Sequence, residues 1–265
     1  MTHPLVQKVR DGLRQGSNPA KAAQMQRYMK SAMPFRGVSS PDQRELWRQI
    51  FPAYPLSSLS EWTAAALELW RNAGFREERY AAIALTDLKV YARYRTPAAM
   101  PMLEEMIVTG AWWDYVDALA THHLGDILRA EQQQAASSEV SKLMEQWARG
   151  ENLWKRRAAI LCQIRFKQHT ELDLLYACLE PNLQRPASNR DGGAIASRGS
   201  STGGSAAPDI TRDFFIRKAI GWALRQYARV DAREVGRYVA AHRDRLSPLS
   251  VREATRHIGM AESGD

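Results

Sequence analysis

Cysteine is almost absent from this 265-residue chain: Cys162 and Cys178 are the only two, each in an apolar helical context. That scarcity excludes a disulfide framework and a cysteine-based zinc cluster. No stretch approaches the roughly 18 consecutive apolar residues of a membrane span, and Met1-Thr2-His3-Pro4 leads into no apolar signal region, so the expectation is a cytoplasmic protein. A phosphate-cradling glycine loop, a histidine pair with metal-ligand spacing and a Ser-His-Asp signature are all missing. His122 and His123 are adjacent, so on a helix they diverge by about 100° and do not chelate one ion together. Neither a metal nor a cofactor is expected. Period-two alternation of apolar residues is lacking as well, which argues against a sheet.

What the chain does have is an ordinary globular composition, 45% apolar and 25% charged, with enough length to bury a sizeable core. Its 37 basic and 29 acidic residues leave a net charge of +8. Such a charge suits a polyanionic partner without choosing one, so the placement of the cations matters more than their number.

Helical period runs through nearly every segment. It predicts helices over 23–30, 41–49, 59–72, 77–92, 98–108, 112–124, 138–149, 153–166, 172–179, 213–227, 233–242 and 250–257. Ser250, three residues before Glu253, has the form of a capping box for the last of these. The stretch 184–210 is different in kind, because its Gly, Ser and Pro content gives it too little apolar surface to order itself. It is expected to be a flexible inserted loop within a single domain spanning 1–265, since helical patterning resumes beyond it.

A weak repeat underlies the helices. Arg79-Tyr80-Ala81-Ala82-Ile83, Val116-Asp117-Ala118-Leu119-Ala120, Arg156-Arg157-Ala158-Ala159-Ile160 and Arg217-Lys218-Ala219-Ile220 align as polar positions followed by small and branched apolar ones. The intervals from Tyr80 to Asp117 and from Asp117 to Arg157 are 37 and 40 residues, and the insert lengthens the next to 61. That period predicts stacked helix pairs of the HEAT type, an all-α solenoid in which equivalent positions line one curved, basic surface.

Candidate site residues fall on three of these segments. In Trp112-Trp113-Asp114-Tyr115-Val116-Asp117, Trp113 and Asp117 lie four residues apart at the edge of an apolar stripe that contains Trp112, Val116, Leu119 and Ala120. A carboxylate there either accepts hydrogen bonds from a neighbouring loop or faces positive charge on a ligand. Arg157 lies inside the stripe of Leu153, Ile160 and Ile164, where it serves as a snorkelling or internally paired cation, or as a phosphate contact. Between 213 and 227, Phe215, Ile216, Ala219, Ile220, Ala223 and Tyr227 form one side, and Lys218, Gly221, Trp222 and Arg225 line the opposite one. Two cations around an aromatic and a glycine suit close approach to a phosphate backbone and a sugar. Arg27, Tyr28 and Lys30 form a further basic and aromatic cluster. A lone carboxylate among aromatics on such a surface is equipped to stabilise a cationic, sugar-like transition state.

Five motifs in order carry a family resemblance: Arg27-Tyr28-Met29-Lys30 followed by Phe35-Arg36-Gly37; the hexapeptide 112–117; Trp154 with Arg157-Ala158-Ala159-Ile160-Leu161 and Gln163; Phe214 to Tyr227 with Lys218, Gly221, Trp222 and Arg225; and Leu246 to Ala254. In these the chain resembles the AlkD family of bacterial DNA alkylation-repair glycosylases, over nearly its whole length except the Gly/Ser-rich insert and the tail after Met260. The resemblance implies a HEAT-like solenoid whose concave face holds duplex DNA. It implies hydrolysis of the glycosidic bond of cationic N3- or N7-alkylated purines without metal, cofactor or a pocket for an extruded base. By motif, Asp117 is the catalytic carboxylate and Trp113 and Trp222 lie against the deoxyribose with Tyr28 nearby. Arg157 contacts the DNA backbone, and Lys218 and Arg225 add phosphate contacts. A monomer suffices for this. The alternatives are a HEAT-like DNA-binding protein without catalysis and a helical-repeat scaffold that binds an acidic peptide.

Overall fold

The computed structural model describes residues 2–134, 138–184, 210–256 and 258. Among these residues the chain is all-α, with no strand. Nearly all of the Gly/Ser-rich stretch expected as a loop lies outside them. The chain forms two compact units, Met1–Leu119 and Ala120–Asp265. No helix of the described residues is long and apolar enough to cross a membrane.

The first unit contains α1 (Pro4–Gln15), α2 (Pro19–Met29), α3 (Ser40–Ile50), α4 (Leu59–Arg71), α5 (Arg76–Asp87), α6 (Met100–Gly110) and α7 (Trp113–Ala118). Helix α1 is absent from the expected set, yet Leu5, Val6, Val9 and Leu13 bury one face at helical spacing, with His3 capping the start and Pro4 at the first position. Helix α5 stops at Asp87, earlier than its period suggests. Leu88 is extended, and the following 3-10 turn at Lys89–Tyr94 buries Tyr91, whose hydroxyl accepts the Leu56 N–H at 2.9 Å. The short link between α4 and α5 folds one back on the other, in the manner of a repeat pair.

Fully buried Glu77 binds the loop that precedes α3. Its carboxylate accepts the successive backbone N–H groups of Arg36, Gly37 and Val38 at 2.8–3.2 Å, which makes the loop a small anion nest with an internal occupant. Gly37 has φ +81°, and a side chain there would meet the Asn18 carbonyl at 2.0 Å. The Phe35-Arg36-Gly37 motif is therefore explained by backbone geometry.

The second unit contains α8 (Gly125–Gln134), α9 (Glu139–Arg149), α10 (Leu153–Leu161), α11 (Leu172–Leu179), α12 (Ile210–Tyr227), α13 (Ala232–Ala241) and α14 (Pro248–Ala254). A π-helical turn at Leu119–Leu124 precedes α8, so the helix expected to end at Leu124 continues after that turn to Gln134. Helix α10 ends five residues short of expectation because the Gln163 amide bonds both backbone groups of Glu171, donating at 3.0 Å and accepting at 2.9 Å, and so fixes a turn. The cap of α14 also differs from the expected capping box. Ser247 is the N-cap, accepting the Ser250 N–H at 3.0 Å with Pro248 at the first position, while Ser250 is buried and donates to the Arg217 carbonyl.

Helix α12 is buried on two sides. Ile216, Ala219 and Ile220 are buried as expected, and so are Leu224 and Gly221. Against Gly221 a built Cβ would lie 2.6 Å from Glu253 Cβ and 3.0 Å from the Ser250 carbonyl, so the glycine permits α14 to press against α12. The expectation that this glycine opens room for a phosphate backbone is corrected accordingly. Gly221→Ala is expected to lower stability by about 1–3 kcal/mol through overpacking, as read from urea midpoints; an unchanged midpoint would show that the contact yields freely.

Candidate functional site

Helix α7 is short and deliberately anchored. Trp112, extended at φ −149° and ψ 145°, is its half-buried N-cap residue, not a member of the core stripe, and Tyr115, Val116 and Leu119 provide the buried side. The helix carries two acids, Asp114 and Asp117. Asp114 is clamped: Arg76 Nη2 reaches both of its oxygens at 2.7 and 2.8 Å, and the Tyr80 hydroxyl donates to Oδ2 at 2.7 Å. Arg76 is only 4% exposed. It also donates to the Ser31 hydroxyl and the Tyr80 oxygen and lies over the Tyr115 ring at 4.2 Å. Burial alone would lower the Arg76 pKa, but the bond to Asp114 together with the contributions of Tyr115 and Tyr80 outweighs it, and the guanidinium is held more strongly charged than usual. Burial, reinforced by Asp114, pushes the Tyr80 phenol upward, so it stays a donor.

One turn further on, Asp117 is half-buried, and Trp113, also half-buried, lies four residues before it. Asp114 and Ala118, on either side of Asp117 in the chain, line a crevice of about 280 Å³ together with Tyr80, Ile83, Gln43 and Trp47. Tyr28, near the end of α2, is 78% exposed. Such exposure of an aromatic ring leaves it available to a flat apolar partner.

In the second unit Arg157 is 5% exposed, and its Nη1 donates to the Phe215 carbonyl of α12 at 2.5 Å. Its guanidinium therefore ties α10 to α12. Adjacent Arg156, which lies off the apolar stripe, donates to Asn182. On α12, Lys218 and Arg225 both pair with Glu253 of α14, at 2.9 and 2.5 Å, on either side of half-buried Trp222. These are partnered cations, where the sequence suggested an open basic face.

A basic cleft of about 790 Å³ in this unit, missed by the sequence reading, is lined by Arg129, Arg165, Lys167, Arg229, Gln226 and Tyr227 among others. The signal for it was the cation-rich turn Arg165-Phe166-Lys167-Gln168-His169, which the overlong helix assignment concealed. Both cysteines are buried, and burial raises their thiols, Cys178 to about 12 and Cys162 well above its ordinary value. Neither is a nucleophile at neutral pH. Among the described residues no group of three or more His, Cys, Asp or Glu is placed to hold a metal ion.

Comparison with known proteins agrees with the motif reading. A solved structure described as a predicted DNA alkylation repair enzyme from Enterococcus faecalis is similar at a TM-score of 0.60 and 26% identity, over 91% of this chain and 95% of that one. No curated protein matches. The model of the DNA alkylation repair enzyme family matches residues 9–189 and 209–258, and with that span covering most of its length the chain belongs to this family.

Proposed function

We propose that the protein is a DNA glycosylase that hydrolyses the N-glycosidic bond of cationic N3- or N7-alkylated purines in duplex DNA, acting as a monomer in the cytoplasm on a basic concave face of one HEAT-like solenoid domain. The reading is supported most by the place of Asp117, which is half-buried on the short helix that also carries Trp113. Asp114, one turn before it, is held by buried Arg76 and by Tyr80, which anchors the helix that presents Asp117.

The chemistry asks for little more. An alkylated purine is already positively charged and leaves without a general acid to protonate it. What remains is a developing positive charge on the sugar, and a fixed carboxylate lowers its energy. About 5 kcal/mol of such stabilisation accelerates cleavage by roughly four orders of magnitude. Asp117 is assigned that role and the orientation of the attacking water, with Trp113 and Trp222 against the deoxyribose and Tyr28 beside them. Lys218, Arg225 and Arg157 are assigned to the DNA backbone. No metal, cofactor or base-extrusion pocket enters this scheme.

Incubation with methylated duplex DNA, followed by chromatography of the released bases, tests it. Release of a methylpurine is the expected result. Binding of the duplex with no release would instead make the protein a non-catalytic DNA-binding member, and failure to bind duplex would favour a protein-binding scaffold.

The arginines are separable. Arg225→Ala is expected to reduce the salt slope of duplex binding by about one unit, as on loss of one phosphate contact. Arg157→Ala is expected to reduce the slope and the melting temperature together, because its guanidinium also holds the Phe215 carbonyl. A slope unchanged in both variants would assign the pair to structure alone.

A further inference from the structure

Lys218 and Arg225 are seven residues apart on α12, with Trp222 four after the first and three before the second, so the three share one face. Glu253 stands opposite them. Its Oε1 accepts from Lys218 Nζ at 2.9 Å and its Oε2 from Arg225 Nη1 at 2.5 Å, and its side chain is only 16% exposed. The approach that makes both bonds feasible depends on Gly221, whose missing side chain leaves the space Glu253 Cβ occupies. The bond to Lys218, above all, holds the Glu253 carboxyl below the usual carboxylate range, so the bridge is ionised at neutral pH.

A carboxylate is costly on a surface that meets phosphate, since it cancels one of the two positive charges beside Trp222 and weakens attraction to any duplex. What it supplies is direction. Each cation spends one donor on Glu253 and keeps the others: two ammonium protons on Lys218, and the remaining guanidinium N–H groups on Arg225. We propose that Glu253 is a positioning residue, which gives up general affinity for DNA in order to hold Lys218 and Arg225 in fixed register on either side of Trp222. The proposal rests on the reading of α12 as a DNA-contacting helix.

The isosteric substitution Glu253→Gln separates the two effects. It frees one net positive charge and loosens both cations. Binding of undamaged duplex should tighten several-fold at low salt, with a salt slope steeper by about one unit. Single-turnover release of 7-methylguanine at saturating protein should slow by about tenfold, because the register around Trp222 is lost. Opposed changes of this kind do not follow from a role in stability alone. In a Lys218→Met background the tightening caused by Glu253→Gln should shrink, since only Arg225 remains to be released. Unchanged binding and release, or binding that weakens together with the melting temperature, would overturn the proposal. If the wild-type protein releases no methylpurine while Glu253→Gln still tightens duplex binding, the glycosylase reading fails and the charge balance assigned to Glu253 stands.

Discussion

Asp117→Asn is expected to bind alkylated duplex nearly as well as the wild-type protein and to lose release of 7-methylguanine by ~10²–10³-fold, the scale on which single preorganised electrostatic groups act. The substitution preserves size and hydrogen-bonding capacity but removes the negative charge. In the ground state that charge faces a duplex already rich in phosphate, so its removal does little to affinity. In the transition state the sugar becomes cationic, and the same charge then acts at short range. The loss should therefore fall on the chemical step and leave binding intact, a separation that single-turnover kinetics at saturating protein reads directly. Release at near wild-type rate from Asp117→Asn would remove the carboxylate from the mechanism.

Arg76→Met is expected to produce the largest loss of stability, ~3–5 kcal/mol, as is usual when one partner of a buried ion pair is removed and the other charge is left inside. Asp114 would lose both bonds from Arg76 Nη2 and keep only the one from Tyr80, and the Ser31 hydroxyl and the Tyr115 ring would lose the cation as well. The urea midpoint of the purified variant measures this, and a midpoint within error of the wild type would refute the clamp. A milder companion, Asp114→Asn, retains the shape of the acceptor and should fall between the two. Because α7 has only six residues, its orientation depends on such anchors more than on its own hydrogen bonds. Activity lost in Arg76→Met should return in part at lower temperature, where the remaining folded fraction is larger, whereas activity lost in Asp117→Asn should not.

The helical architecture was legible in the sequence, and so was the family, because each depends on information held within a few residues. Apolar positions three and four apart mark the faces of α4, α9 and α13, and each of the five motifs lies within a short local stretch of chain. Helix ends were less legible. The turn after α10 is held by Gln163 bonding Glu171, and the end of α5 by Tyr91 reaching Leu56, neither of which is a capping signal. Helix α1 was legible in principle, since its four buried residues keep helical spacing and Pro4 marks its start.

The candidate site divides along the same line. That Asp117 and Trp113 share a helix edge, and that Lys218, Trp222 and Arg225 share another, follows from 100° per residue and needs no fold. Which of these side chains is committed to a partner does not follow from it. Asp114 meets Arg76 across 38 residues, Glu253 meets Lys218 across 35 and Arg225 across 28, and Arg157 meets the Phe215 carbonyl across 58. Periodicity reports the angle at which a residue leaves its own helix. Whether that direction leads to solvent, to a carboxylate or to a carbonyl depends on the neighbouring helix, and the packing of helices is where the long-range contacts reside. The chain thus declared its fold, its family and its candidate acid locally, while tertiary packing paired Asp114 with Arg76, placed Gly221 at a helix contact and joined Glu253 to the cations beside Trp222.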